Sequence, residues 1–121
     1  MWIWLVGCVS LAGTWSGVVT CADDGADALT WTLDDPTDDI WAGTGELACG
    51  ASCVQRFGLT VRDAADVADG EDLVDVDVDD CVQVLAGDEA AAACANTEAV
   101  VLDGDHMSGT WNDCAFEVER T

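Results

Sequence analysis

The feature that most constrains this chain is a two-residue rhythm. Leu29, Trp31 and Leu33 alternate with Thr30 and Thr32, and Val74, Val76 and Val78 alternate with Asp75, Asp77 and Asp79. Two is the period of an extended strand, whose successive side chains point to opposite faces. One face of each segment is apolar and the other polar, so each predicts a half-buried strand of an antiparallel sheet. The same pattern predicts a first strand over 14–21, with Trp15, Gly17, Val19 and Cys21 on one face. It predicts another over 40–49, where Trp41, Gly43, Gly45, Leu47 and Cys49 share a face. Phe57, Leu59 and Val61 point inward from a strand over 54–62, and further strands are expected over 97–102, 107–111 and 114–118. A glycine two residues after an inward Trp either leaves room for a neighbouring indole or lets the strand bend toward closure.

Asp and Gly punctuate these strands. Asp23-Asp24-Gly25 and Asp34-Asp35-Pro36 read as turns, and Asp103-Gly104-Asp105 reads as a hairpin turn. Residues 63–72 read as a loop, and 81–85 continue or restart β structure. Residues 88–96 are Ala-rich, with Asp88 as an N-cap, so one short helix is expected there, tethered by Cys94. The fold class is therefore all-β: an antiparallel up-and-down meander of about eight strands. A barrel is favoured over a sandwich because closure removes exposed edges. A chain of 121 residues suits one domain with a modest core. The organisation read from this is an export-signal remnant over 1–8 and a single disulfide-stapled, barrel-like domain over 9–121.

Met1-Trp2-Ile3-Trp4-Leu5-Val6-Gly7 is apolar and precedes Cys8. Leu5-Val6-Gly7-Cys8 resembles the bacterial lipobox, in which the Cys becomes the lipidated first residue of the mature protein. The resemblance implies a lipid acceptor at Cys8 and a membrane partner reached through that lipid. It also implies a place at the bacterial cell envelope, at the outer membrane or secreted beyond it. A full signal has a basic n-region and about 7–15 apolar residues. The run here is shorter and has no basic residue, so either the true start lies upstream of Met1 or Cys8 stays unmodified. The competing reading makes 1–7 an apolar edge strand.

Setting Cys8 aside leaves Cys21, Cys49, Cys53, Cys81, Cys94 and Cys114. An even set agrees with an oxidising compartment and three disulfides, and six Cys permit about 15 connectivities. Cys49 and Cys53 also have a spacing seen in zinc sites, but His106 is the only His and no second short pair accompanies them. No metal site is expected. Asp75, Asp77 and Asp79 have the one-three-five spacing of a calcium loop, yet Asp80 stands where that loop needs Gly and Ala86 where it needs Glu.

Gly13-Thr14-Trp15, repeated at Gly109-Thr110-Trp111, resembles the Gly-x-Trp signature of the lipocalin and avidin-like barrels. In those families the Trp closes one end of the barrel. Leu11, Gly13, Trp15 and Cys21 are also similar to the opening of small secreted barrel inhibitors of metalloproteases. Three functions follow as expectations. The first is an envelope-exposed, lipid-anchored β domain with a binding or structural role. The second is a small-ligand carrier of lipocalin-like type, with Trp15, Trp31, Trp41 and Trp111 lining a pocket for an apolar ligand. The third is an inhibitor of a secreted protease, with a protein as partner.

No enzyme is expected. His106 and Ser108 could join one of many Asp, but these polar groups converge on no motif. No cofactor is expected, and no glycine-rich phosphate loop opens a helix.

Charge narrows the partners further. With 25 acidic residues against 3 basic ones, the formal net charge is -22, and the chain has no Lys. Such a surface repels nucleic acid and collects cations non-specifically. It resembles the solvation of proteins from salty habitats, and reads equally as a soluble extracellular surface in a lineage with biased codons. Stability should therefore rise with salt. Screening lengths fall from about 10 Å at 0.1 M to about 3 Å at 1 M. Thermal melts over a sodium chloride series, repeated with millimolar calcium, are expected to show an increasing Tm. A Tm flat with both ions would mean that the carboxylates are too well solvated to repel.

Overall fold

The structure is a computed structural model, and it describes residues 11–21, 25–38, 40–63 and 72–121. Residues 5–8, read above as resembling a lipobox with Cys8 as lipid acceptor, lie outside the described residues, as does most of the loop expected over 63–72. Nine strands follow one another: β1 (Gly13–Cys21), β2 (Gly25–Leu33), β3 (Ile40–Gly50), β4 (Cys53–Asp63), β5 (Asp72–Leu85), β6 (Asp88–Ala91), β7 (Thr97–Asp103), β8 (His106–Trp111) and β9 (Cys114–Arg120). All the pairings are antiparallel.

Sequential neighbours pair from β1 through β5. The meander then continues through β7, β8 and β9, and β9 returns to β1. Eight strands thus close into a barrel, and β6 lies outside it, paired with β5 alone. Closure gives each of the eight barrel strands a partner on both sides, which an open sheet of this length could not do. The seam between first and last strands runs from Trp15 opposite Arg120 to Thr20 opposite Ala115.

The alternation read from the sequence sorts the side chains as expected. Leu29, Trp31 and Leu33 are buried, while Thr30 and Thr32 are exposed. Val74 and Val76 are buried, while Asp75, Asp77 and Asp79 face solvent along one long strand. The core gathers Leu11, Trp15, Trp31, Trp41, Trp111, Phe57, Phe116 and Met107 with their aliphatic neighbours. Burying such side chains is worth about 1.5–3 kcal/mol each, the main favourable term in a domain this small.

The inward glycines make room for neighbouring strands as well as side chains. A Cβ on Gly17 would fall on the Glu117 carbonyl of β9, and one on Gly43 would fall on the Thr32 carbonyl of β2. At Gly45 the space goes to a side chain, the Phe57 ring. Of the two roles foreseen, room for a neighbouring ring is seen at Gly45, where the ring is a phenyl and not an indole; Gly17 and Gly43 instead let a neighbouring backbone approach.

The helix expected over 88–96 is not there. Asp88–Ala91 is strand β6, and residues 92–96 are irregular. Ala86 and Gly87 both have positive φ, 53° and 88°, which turns the chain back tightly after Leu85. The returning segment pairs Asp88 with Leu85 and Ala91 with Val82. Cys94 is then bonded to Cys81 on the same β5 strand. A nine-residue Ala-rich stretch is too short to hold a helix by propensity alone, and a neighbouring strand edge outcompetes it.

Three disulfides join Cys21 to Cys114, Cys49 to Cys53 and Cys81 to Cys94. Cys49 and Cys53 are thus partners across the β3–β4 turn. Cys21, which lies on the same sheet face as Cys49, bonds across the β1–β9 seam instead. All three bonds lie toward the barrel end that carries the β1–β2, β3–β4 and β8–β9 turns. Under denaturing, non-reducing conditions, thiol titration should find these six Cys unreactive. Reduction should lower stability by about 2–5 kcal/mol per bond lost. More than one reactive thiol before reduction would contradict the pairing.

Candidate functional site

Three regions could carry function: the interior with its tryptophans, the end where Ala12 and Trp15 meet Arg120, and the outer wall.

The interior holds all four tryptophans that the sequence offered as ligand-lining. Trp15, Trp31, Trp41 and Trp111 are buried. The Trp31 and Trp111 rings stack with centroids 6.2 Å apart. Phe116 meets both, at 5.8 Å from each, and Phe57 lies 5.3 Å from Trp111. Trp15 sits opposite Trp31 in the β1–β2 register. The rings therefore pack on one another, in offset and edge-on arrangements that aromatic quadrupoles favour. The indole N–H groups of Trp31 and Trp41 are buried without a hydrogen-bond partner among the described residues. Leaving such a donor unpaired costs about 1–3 kcal/mol, so this core tolerates a polar cost for aromatic bulk.

At the end opposite the disulfides, Trp15 donates its indole N–H to the Leu11 carbonyl at 2.9 Å. The Arg120 guanidinium lies over the Trp15 ring, 5.0 Å from its centroid. Arg120 also bonds the Asp105 carboxylate at 2.5 Å and the Ala12 carbonyl at 3.3 Å. Its aliphatic stem passes Gly13, where a Cβ would come within 3.3 Å of Cδ. Gly13 has φ +126°, a conformation that side chains rarely adopt. The Gly-x-Trp spacing thus has a local cause. The glycine opens a path for the arginine, and the arginine covers the tryptophan. Sequence reasoning found Gly13 and Trp15 but missed Arg120. A lone Arg on the last strand of a chain with only three was the available signal.

The outer wall carries the remaining polar groups. Arg62 lies 3.9 Å from Asp75 and 3.8 Å from Asp77, all three exposed. His106 Nε2 is 3.6 Å from a Glu117 oxygen, and Ser108 sits opposite Glu117 in the register. The acid therefore stands beside both groups. His106 and Ser108 are two residues apart on one strand, about 7 Å along it, so a proton relay from Ser to His lacks its direct step. Cys49 and Cys53 are bonded to each other, which removes the zinc reading. Among the described residues, no three His, Cys, Asp or Glu side chains are grouped so as to hold a metal.

A groove of about 560 Å³ crosses the outside of β2, β3 and β4 and ends at β5. Thr30, Glu46 and Arg56 form one rung of its rim, and Thr32, Thr44 and Gly58 form the next, each in register. Between the rungs run Trp31, Gly45 and Phe57; the Trp31 and Phe57 side chains point to the core and Gly45 has none. The floor is consequently low. A β-bulge opposite Arg56–Gly58 bends β5 at this point, and Asp80 lines the groove there with φ +49°. Bulges re-aim side chains in this manner at binding sites. Nothing in the two-residue alternation announced the groove, because the bulge and the absent side chain at Gly58 are breaks in that pattern.

Comparison with known proteins adds no relative: no family model, curated protein or solved structure matches the chain.

The two kinds of arginine site predict different mutational costs. Arg120→Ala removes a ring cover and the hydrogen bonds to Asp105 and Ala12 at a site that is 20 % exposed, and should cost about 1–3 kcal/mol. Arg62→Ala breaks only exposed pairs and should stay within about 1 kcal/mol. Urea melts of both variants test this. Equal losses would mean that Arg120 does not hold the end closed.

Proposed function

We propose that this is an envelope-exposed, lipid-anchored domain that acts through its outer surface, by binding or bracing, and carries no ligand inside the barrel. The observation that bears most on this is the packing of Trp31, Trp111, Phe57 and Phe116 against one another within 5.3–6.2 Å. These rings occupy the interior that a carried ligand would need. The three disulfides fit an oxidising compartment.

The entry point of the chain supports an anchored arrangement. Leu11 joins the core at the end opposite the disulfides. Cys8 precedes it by three residues, a reach of roughly 10 Å. A lipid on Cys8 brings the Arg120 end to the bilayer and directs the β1–β2, β3–β4 and β8–β9 turns away from it.

Intact-mass analysis of protein made with its native upstream sequence is expected to show Cys8 as a lipidated first residue. Unmodified Cys8 with residues 1–7 retained would sink the anchor. Stoichiometric binding of a fluorescent fatty acid, with quenching of the buried tryptophans, would restore the carrier reading.

A further inference from the structure

We propose that the outer groove over β2–β5 is a binding site for a neutral saccharide of two to three rings. The argument starts from the donor and acceptor inventory of its rim. Thr30, Thr32 and Thr44 supply hydroxyls that both donate and accept. Arg56 only donates, while Glu46 and Asp80 only accept. A ligand that satisfies all of these must itself donate and accept at several closely spaced points, which is the chemistry of a polyol.

Charge excludes the main alternatives. An anion would enter a chain of net charge -22. It would meet Glu46, Asp80 and the neighbouring Glu89, with Arg56 as the one positive group among the lining residues. Arg56 is shared, 3.8 Å from Glu46 and 3.7 Å from Glu89, so it cannot offset them all. A cation finds carboxylates over the whole surface, but here it meets the Arg56 guanidinium at the head of the groove. A neutral hydroxylated ligand faces neither penalty.

Shape agrees with chemistry. The rim rungs lie on the same sheet face two residues apart, about 7 Å along the strands, close to the width of a pyranose ring. The floor is backbone and Gly45, against which the C–H face of a sugar can lie. A volume of about 560 Å³ falls within the usual span for small-molecule sites. Asp80, held at φ +49° by the bulge, closes the β5 side, and the Asp79 carboxylate overlies Gly58, where a Cβ would collide with it. This inference deepens the surface-binding reading and is independent of the anchor. Saccharide binding with an unmodified Cys8 would keep the one and remove the other.

The test is a titration of the full isotope-labelled chain, followed through its backbone amides. The neutral probes are cellotriose, maltotriose and N,N′,N″-triacetylchitotriose. Trigalacturonate serves as the anionic probe and triarginine as the cationic one. At millimolar concentration, at least one neutral trisaccharide should shift the amides of Gly45, Gly58 and Asp80, while the anion should shift none of them. Arg56→Gln and Asp80→Asn, both at exposed positions, should each weaken that binding about tenfold and leave distant amides in place. Shifts at these amides with triarginine alone would overturn the proposal in favour of a cation groove. Silence from all three neutral probes, or binding unchanged in both variants, would also overturn it.

Discussion

The pairing of β1 with β9 is the constraint from which the rest of this structure follows. Without it, the chain would be an open sheet with two long edges and a half-covered aromatic face. With it, the apolar sides of eight strands turn toward one axis, and every Asp-rich side turns to water. The seam is secured by different means at its two ends. Near one end Cys21 is bonded to Cys114. At the other, Arg120 covers Trp15 and holds the carbonyl of Ala12. Gly17 lies between them and allows the β9 backbone to approach closely. The sequence places a glycine, a tryptophan and a cysteine on the same face of one short strand, and each serves closure differently.

The parts of the fold legible in the sequence were those governed by local alternation. Leu29 to Leu33 could be assigned because its inward and outward residues differ sharply in polarity. The Asp103-Gly104-Asp105 turn was legible because Gly104 takes a positive φ that few residues tolerate. Residues 88–96 were misread because Ala carries helix propensity but no face. With no apolar stripe to bury, the segment took its conformation from the open edge of β5 and from the bond at Cys94. That information lies in distant residues. The disulfide partners were equally hidden, since strand register decides which Cys meet.

The candidate groove shows the same limit from another side. Thr30, Thr32, Thr44, Glu46 and Arg56 were visible as outward positions of predicted strands, whereas Asp80 shares the parity of the inward Val74, Val76 and Val78. What could not be read was that Thr30, Glu46 and Arg56 would fall on one rung, or that a bulge would turn Asp80 toward them. Alternation assigns a residue to a face but says nothing about its neighbours across the sheet. Those are fixed by turn lengths and bulges, which depend on one or two residues each. A site on a barrel wall is thus less legible than the core behind it.

The Cys21–Cys114 bond also has a mechanical consequence. It encloses almost the whole barrel in a covalent ring, with 93 positions of sequence separation between its sulfurs. Tension between the two chain ends, such as a load between a tethered N-terminus and a partner gripping the C-terminus, passes from Cys21 directly to Cys114. The strands between them bear none of it. Only β1 and β9 can be drawn out, and they are drawn from the Arg120 end toward a knot that does not slip. The extensible length of the molecule under load is therefore that of two strands, while the wall bearing the groove remains folded.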